Sequence, residues 1–473
     1  MYSLVMTGFL LFVLFLALSR FGKIRLGRDG EQPEFRTVSW LSMLFAAGVG
    51  LSFLFWGVAE PASHFGVPPY GMVEAESTGS AELGMQYTFY HWGLHPWAVY
   101  ALVALAMAYF GFRRGGGGTL ISSVLRPLLG DRVDGPLGKA VDILAIFAVL
   151  FGVATALGIG ALQLGGGLGY VFGLPESSTV QISIIGVLTA MFLISAATGL
   201  SRGILYLSLI NMSIAGLLAL FVLVVGPTGF LLGTLARSTG DYALGLLPMS
   251  FQSTSFSPAE WAENWTLFYW AWWISWAPFV GSFIARISRG RTIREFVAGV
   301  LLAPTAVSFI WFAVFGGSAI YQDLFNGASI AQTAQEDLPR ALFDTLAALP
   351  LGAVTSVLAL VLVSIFFVTS GDSATFVLGS MSTGGSEEPA TGVKLTWGLV
   401  VAAFAAVLLL AGGLDALQTA TITAAVPFAG VIICMCVALY RALSEEDTGY
   451  TPSERSSGRE EVEERFSQES RRS

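Results

Sequence analysis

Tryptophan is concentrated in one short stretch of this 473-residue chain. Four tryptophans lie within the seven residues from Trp270 to Trp276. The face of an indole ring carries partial negative charge and attracts cations, and a quaternary ammonium group, which cannot donate hydrogen bonds, is held in proteins by such faces. Tryptophan belts at membrane surfaces occur at the ends of spans, whereas this stretch lies inside an apolar run. The stretch therefore favours an aromatic cage for a quaternary ammonium ligand.

A second aromatic group lies in the segment from His91 to Tyr100. Trp97 follows Trp92 by five residues, and Tyr100 follows Trp92 by eight. At 3.6 residues per turn these offsets allow the three rings to share one broad face of a helix. We expect them to supply further walls of the same cage.

Glycine and hydroxyl residues in two other apolar runs suggest an ion site. Gly48 and Gly50 interrupt one run, and a helix broken in this way frees backbone carbonyls that can hold an ion. Close packing of helices through small residues explains the glycines equally well. In the other run, Thr369 and Ser370 either bond to their own helix or offer oxygen ligands to a small alkali cation. A five-coordinate site built from both segments is the hypothesis.

The remaining polar residues in the apolar runs indicate little chemistry. His64, His91 and His95 show no metal-ligand spacing with acidic partners. Glu60 precedes Pro61 at the predicted end of a span, which favours an interfacial or structural role over proton transfer. Phosphate-loop, nucleophile-elbow and metalloprotease motifs do not occur. We therefore expect no enzyme, no organic cofactor and no nucleic-acid partner.

The composition places all these residues in a membrane protein. The chain is 54% hydrophobic and 12% charged, against about 25% charged for a soluble domain. Apolar runs of roughly 20 residues, long enough to cross a bilayer, recur along it. The predicted spans number about eleven: 3–21, 40–59, 85–110, 140–163, 178–199, 204–226, 264–285, 296–320, 352–377, 392–412 and 415–441.

The basic residues predict the orientation. Threading the spans alternately gathers most Lys and Arg residues into one set of loops and leaves Arg237 and Arg340 in the other. The positive-inside rule makes the first set cytoplasmic. We expect a multi-pass protein of the plasma membrane with a cytoplasmic C-terminus and Met1 outside. The external start suggests that one upstream helix is missing.

Several segments resemble the betaine/choline/carnitine transporter family. The most specific is FYWAWWISWAPFVGSFIARISRGRTIREF (268–296). Three others resemble family segments in family order: FWGVAEPASHF (55–65), FYHWGLHPWAVYALVALAMAYF (89–110) and FFVTSGDSAT (366–375). The resemblance covers residues 8–442.

The resemblance implies an all-α fold of the LeuT type, with two inverted five-helix repeats and one extra N-terminal helix where the family has two. The implied divisions are an extra helix and loop at 1–37, a first repeat at 38–226, an external connection at 227–261 and a second repeat at 262–441. The composition of residues 442–473, acidic and almost without apolar residues, separately predicts a disordered cytoplasmic tail. The resemblance also implies a homotrimer surrounded by lipid.

The site residues that the resemblance implies fall on matching positions. The implied substrate cage consists of Trp92, Trp97, Tyr100, Trp272, Trp273 and Trp276, with Phe55 near the substrate path. The implied sodium ligands are the carbonyls of Ala46, Val49 and Phe366 and the hydroxyls of Thr369 and Ser370. Ser52 replaces the third glycine of the family's Gly-x-Gly-x-Gly stretch, which leaves the choice between a zwitterion and a choline-like cation open.

The function expected from this resemblance is import of a trimethylammonium compatible solute by sodium symport, with glycine betaine as the leading substrate and sodium as the coupling ion. The alternatives are a sodium-independent exchanger of carnitine or betaine and a choline importer. A channel would show a ring of like charges or a repeated filter motif, and neither occurs in the sequence.

Overall fold

Helices dominate the computed structural model, which describes residues 2–48, 50–115, 120–198, 201–252 and 259–446. The longer ones are α1 (Tyr2–Leu18), α2 (Thr37–Gly48), α3 (Leu51–Gly66), α4 (Thr78–Trp92), α5 (Leu94–Ala108), α8 (Pro136–Phe172), α9 (Ser178–Thr198), α10 (Ser201–Val225), α11 (Thr228–Ser250), α13 (Phe268–Ile287), α14 (Ile293–Asn326), α17 (Gly352–Ser382) and α18 (Thr391–Glu446). The short ones are α6 (Ile121–Val124), α7 (Arg126–Leu129), α12 (Ala259–Ala262), α15 (Ile330–Glu336) and α16 (Ala341–Ala347).

The helices identify a multi-pass membrane protein. Within the described ranges, seven helical stretches are long and apolar enough to cross a bilayer. They are 78–113, 136–172, 178–198, 206–225, 293–326, 352–382 and 391–446. The 56 residues of α18 exceed the roughly 20 that one crossing needs. The all-α fold expected from the sequence is therefore confirmed.

The helices differ in how much of their surface the protein covers. The most apolar part of α4 and α5 is 94% buried within the chain, whereas the corresponding parts of α9 and α10 are 28% and 22% buried. Apolar surface outside the chain requires lipid or another protein. Helices α3, α5 and α13 also bury most of their residues, so these helices together with α4 and α8 can enclose a site.

Several predicted spans are interrupted. The run 40–59 forms α2 and α3, separated after Gly48, so the break expected at the glycines is present. The run 85–110 was expected to be one helix but divides at Gly93 into α4 and α5. The runs 392–412 and 415–441 correspond to the two halves of α18, between which Gly412 and Gly413 adopt non-helical backbone angles, so the predicted division between them is present.

Two other segments of the predicted division contain helical structure. The external connection 227–261 contains the 23-residue helix α11, which the sequence analysis did not identify. The tail was expected to begin at 442, but α18 continues to Glu446, and residues 447–473 lie outside the described ranges. The division into two inverted repeats stays a prediction.

Candidate functional site

Helix α13 sorts its tryptophans onto two faces. Trp276 follows Trp273 by three residues and Trp272 by four, and these offsets keep the three side chains on one broad face of the helix. Trp270 packs elsewhere, because its ring stacks on His95 with centroids 5.3 Å apart. The four tryptophans of the sequence stretch therefore do not form one group.

The six residues predicted as a cage form a continuous cluster of aromatic rings, called here the ring cluster. The Trp273 ring lies 4.9 Å from Trp92, 6.2 Å from Tyr100 and 5.3 Å from Trp272, centroid to centroid. Trp97 contacts Tyr100 at 5.6 Å, and Trp276 contacts Trp272 at 6.5 Å. Most of these pairs are close to perpendicular, at 75° to 89°, which is how adjoining walls of an aromatic box stand.

Hydrogen bonds from the indole nitrogens anchor two of the rings to neighbouring helices. Trp273 Nε1 donates to the His91 carbonyl at 3.0 Å, in the last turn of α4, where carbonyls lack helical partners. Trp272 Nε1 donates to the Gly152 carbonyl of α8 at 3.3 Å. A Cβ at Gly152 would lie 2.7 Å from Trp276 Cδ1, so glycine allows α8 to approach the cluster. The Trp272 and Trp273 rings of α13 are thus hydrogen-bonded to two neighbouring helices, α4 and α8.

The break between α4 and α5 separates Trp92 from Trp97. The backbone N–H of Leu94, at the start of α5, donates to the Tyr242 hydroxyl of α11 at 3.0 Å. A Cβ on Gly93 would lie 2.7 Å from that hydroxyl and 2.5 Å from the Phe89 carbonyl oxygen. The three aromatic residues of 92–100 therefore reach the cluster from two helices, and the single helical face expected from their spacing was wrong.

A buried polar cluster borders the rings, and the sequence analysis missed it. Glu60 Oε1 lies 2.7 Å from His91 Nδ1, and Glu60 Oε2 accepts hydrogen bonds from Trp92 Nε1 at 2.7 Å and from the Tyr269 hydroxyl at 2.6 Å. Glu60 lies within α3, which continues to Gly66, and its side chain is buried, which agrees with the structural alternative of the two roles expected for it. An acid inside an apolar run was the available signal.

His64 brings a third potential metal ligand to this polar cluster. One ligand atom each of Glu60, His64 and His91 lies within 4.8 Å of the others, a grouping that the histidine spacing did not suggest. A zinc ion lies about 2.0–2.2 Å from each nitrogen or oxygen ligand and is surrounded tetrahedrally. Two ligand atoms of one zinc ion are therefore farther from each other than the two atoms of a short hydrogen bond. The 2.7 Å between Glu60 Oε1 and His91 Nδ1 is a hydrogen-bond distance. The geometry therefore favours a hydrogen-bond network.

Phe55 and Ser52 both lie on α3. The Phe55 ring packs on Trp56 at 4.7 Å, and Trp56 in turn contacts Tyr269 at 5.5 Å. Ser52, in the first turn of α3, is partly exposed. The structure therefore places both residues on the helix that carries Glu60, with Phe55 connected to the ring cluster through Trp56 and Tyr269.

The residues expected to bind sodium divide between α2 and α17. The Thr369 hydroxyl donates to the carbonyls of Ile365 at 3.0 Å and Phe366 at 3.2 Å, the bonding to its own helix that was the alternative reading. Ser370 follows it on the partly exposed side of α17. Ala46 is in the last turn of α2, and Val49 lies outside the described residues.

Helix α8 brings the two halves of this expected ion site near each other. A Cβ on Gly160 would lie 2.3 Å from Leu51 Cδ2, at the start of α3, and 3.0 Å from Phe367 Cδ2 on α17. The break before Leu51 and the α17 segment at Phe367 therefore meet at one glycine of α8. The coordination itself stays a prediction.

The chain was compared with known families and proteins. The family described as the betaine/carnitine/choline family transporter matches residues 1–448. The glycine betaine transporter OpuD of Bacillus subtilis (strain 168) is 52% identical over 448 residues, which cover 94% of this chain and 86% of that protein. An ectoine/hydroxyectoine transporter of Virgibacillus pantothenticus is 46% identical, with 94% of this chain and 88% of that protein covered.

A glycine betaine transporter of Acinetobacter baylyi (strain ATCC 33305 / BD413 / ADP1) is 44% identical, with 94% of this chain and 67% of that protein covered. Family and relatives alike are transporters and not enzymes. Together with the all-α fold and its apolar helices, the full-length match shows that this chain is a multi-pass membrane transporter that belongs to the betaine/carnitine/choline transporter family.

Proposed function

We propose that this chain imports a trimethylammonium compatible solute, with glycine betaine as the first candidate, by symport with sodium. The observation that carries the proposal is the ring cluster at the meeting point of α4, α5 and α13, where Trp273 is surrounded by Trp92, Tyr100 and Trp272. Perpendicular rings present faces from several directions, which suits a methylated ammonium group that cannot donate hydrogen bonds.

The relatives narrow the choice of substrate. Two of them, at 52% and 44% identity, carry the name glycine betaine transporter. A third, at 46%, is named an ectoine/hydroxyectoine transporter. Ectoine is therefore the competing substrate that a comparison of uptake has to include, together with choline and carnitine.

Support for sodium comes from the hydroxyls on α17. Thr369 donates its proton to carbonyls of its own helix, and a hydroxyl that donates in this way still has lone pairs directed elsewhere. The break between α2 and α3 leaves backbone groups outside helical hydrogen bonding, and Gly160 of α8 lies beside both segments. Uncharged oxygen ligands suit a monovalent cation that has to leave in every transport cycle.

The test is uptake of labelled solute into vesicles that contain the purified protein. Betaine, ectoine, choline and carnitine are compared with an inward sodium gradient and with potassium in its place. We expect betaine uptake to require sodium and to exceed uptake of the other three. Equal uptake in potassium would contradict symport and favour the exchanger, and preference for ectoine or choline would replace the substrate assignment.

Orientation and assembly form part of the same proposal. The loops that collect most basic residues would face the cytoplasm, together with the C-terminus. A homotrimer is the expected assembly, with the exposed apolar surfaces of α9 and α10 in contact with lipid or with neighbouring protomers. A fluorescent tag after Glu446, tested for accessibility in intact cells and in inverted vesicles, checks the orientation, and cross-linking in the membrane checks the trimer.

A further inference from the structure

Glu60 is a carboxyl group buried in the middle of the protein, and both of its oxygens have partners. Its side chain is fully inaccessible. Oε2 accepts from the Trp92 indole at 2.7 Å and from the Tyr269 hydroxyl at 2.6 Å, while Oε1 faces His91 Nδ1 at 2.7 Å. These partners come from α4 and from α13, so one carboxyl group links three helices.

The histidine in this network also has a partner on its other side. His91 Nε2 lies 2.9 Å from the Thr266 hydroxyl. With the proton on Nδ1, the imidazole donates to Glu60 and accepts from Thr266, which uses both ring nitrogens. Glu60 then accepts three hydrogen bonds, and His64 Nε2 lies 3.3 Å from the same Oε1. Loss of such an acceptor inside a protein leaves several buried donors without partners, which is costly.

The two rings that donate to Oε2 are the ones that flank Trp273. The Trp92 ring lies 4.9 Å from Trp273 at 75°, and the Tyr269 ring lies 5.9 Å from it at 18°. Trp92 and Tyr269 also contact each other at 5.5 Å. One carboxylate oxygen therefore helps to fix the positions of two neighbours of Trp273.

We propose that Glu60 is a positioning residue for the substrate site, which acts on a bound ammonium group through Trp92 and Tyr269. The proposal rests on the proposed function, because it assumes that the ring cluster holds the substrate. Glu60 contributes in two ways. It fixes the orientation of two rings, and a carboxylate that accepts from an indole N–H and a phenol O–H polarises both rings, which strengthens the attraction of their faces for a cation.

The test separates these two contributions with three variants and one control. Glu60→Gln keeps an oxygen that can accept from Trp92 and Tyr269 but removes the charge. Glu60→Leu removes both the acceptors and the charge, and Tyr269→Phe removes one donor. Gln163→Leu is the control, because it deletes the hydrogen bond that the buried Gln163 of α8 donates to the Pro339 carbonyl, away from the network.

Betaine binding to purified protein and betaine uptake at matched protein amounts are both measured. We expect Glu60→Leu to raise the half-saturating betaine concentration by roughly tenfold or more, since hydrogen bonds to charged groups are strong. Glu60→Gln should raise it by a smaller factor, and Gln163→Leu should leave it unchanged. The proposal would be overturned if Glu60→Leu had the half-saturating betaine concentration of the wild type. If Glu60→Leu fails to fold, wild-type values in both Glu60→Gln and Tyr269→Phe would overturn it instead.

A readout without substrate keeps this inference separate from the proposed function. The near-UV circular dichroism spectrum reports the environment of aromatic rings. Glu60→Gln should change it in the otherwise wild-type protein, and that change should disappear in a background that carries Trp92→Phe and Tyr269→Phe. The same change in both backgrounds would overturn the positioning role, whether or not the protein binds betaine. Failure of wild-type protein to bind betaine would instead count against the proposed function alone.

Discussion

At the scale of single residues, Trp273 is the centre of the ring cluster. The rings of Trp92, Tyr100, Tyr269 and Trp272 lie around it, and its own nitrogen is bound to the His91 carbonyl. That hydrogen bond helps to orient the indole ring before a ligand binds. Trp273 is therefore the residue whose replacement should affect binding of an ammonium group most.

We predict that Trp273→Ala raises the half-saturating betaine concentration by about tenfold or more, because a desolvated cation–π contact contributes roughly 2 kcal/mol. Trp273→Phe should have a smaller effect, since a face remains but the Nε1 bond is lost. Trp270→Ala is the matched control, a buried tryptophan of the same helix that packs on His95 instead. Comparable losses of affinity in Trp270→Ala and Trp273→Ala would mean that the cluster acts only as core packing.

The sequence predicted the rings of the cluster but not the polar network behind them. Tryptophans recur in two short segments, so their unusual composition is visible in the chain itself. Glu60 meets Trp92, 32 residues later, and Tyr269, 209 residues later. No local pattern reports such a meeting, because it depends on how α3, α4 and α13 pack. The acid was visible, but its partners were not.

At the scale of elements, α11 supports the break between α4 and α5. Its Tyr242 hydroxyl accepts the first N–H of α5, and its Asp241 carbonyl accepts from Gln86 of α4 at 2.6 Å. The Tyr90 hydroxyl of α4 donates to the Met249 carbonyl of α11 at 3.1 Å. A helix outside the predicted spans thus fixes the relative position of the two helices that carry Trp92 and Trp97.

We predict that Tyr242→Phe weakens betaine binding and lowers the thermal unfolding midpoint, because loss of a capping partner at a helix start costs about 1 kcal/mol. Gly93→Ala should have a larger effect, since its Cβ meets both Tyr242 and the Phe89 carbonyl. Gly216→Ala on α10 is the control, because nothing lies within 4 Å of a Cβ there. Unchanged affinity in Gly93→Ala would show that the break does not position the cluster.

Helix breaks were predicted unevenly from the sequence. The break near Gly48 was foreseen as one of two alternatives, since alternating glycines weaken a helix. The break at Gly93 was not, because a single glycine in an apolar run is common in membrane helices. The break at Gly93 is supported by a tertiary contact, in which the N–H of Leu94 donates to the Tyr242 hydroxyl, 148 residues later in the chain. The local sequence does not report this contact.

At the scale of the whole molecule, the end of α18 is bound to the first half of the chain. Arg113, which follows α5, donates from Nε to both carboxylate oxygens of Glu446, at 2.8 and 2.7 Å. The Tyr109 hydroxyl donates to the same carboxylate at 2.9 Å, and Arg113 also contacts Asp29 at 2.9 Å. Glu446 is therefore part of the folded protein rather than of a tail.

We predict that deletion of residues 447–473 leaves betaine uptake and its response to osmotic stress nearly unchanged. Deletion of 445–473 should lower the thermal unfolding midpoint, because it removes the acceptor that holds Arg113 and Tyr109. The point variant Glu446→Gln, in the full chain, should reproduce part of that loss. Loss of the osmotic response in the 447–473 deletion would assign a regulatory role to the deleted residues.

Coupling between ion and substrate also belongs to the whole molecule, because the two expected sites share helices. The broken segment before Leu51 leads into α3, which carries Glu60, and α3 meets α17 and α8 at Gly160. An ion held between α2 and α17 would restrain α3, and α3 holds Trp92 through Glu60. Ion binding and substrate binding should therefore strengthen each other to the same extent, with a coupling of about 1–3 kcal/mol.

We predict that replacing both Thr369 and Ser370 with alanine weakens the apparent affinity for sodium more than the affinity for betaine. The affinity for betaine should fall only when sodium is limiting. At saturating sodium the affinity for betaine should return toward that of the wild type. The reason is that the two replacements reduce betaine binding only by leaving the ion site empty, and saturating sodium fills that site. Ser364→Ala is the control, since Ser364 donates to the Leu360 carbonyl at 2.8 Å on the same helix, five residues earlier than Thr369. Betaine affinity that falls equally at all sodium concentrations would place Thr369 and Ser370 outside the coupling. Wild-type uptake that runs equally well in potassium would reject sodium symport altogether.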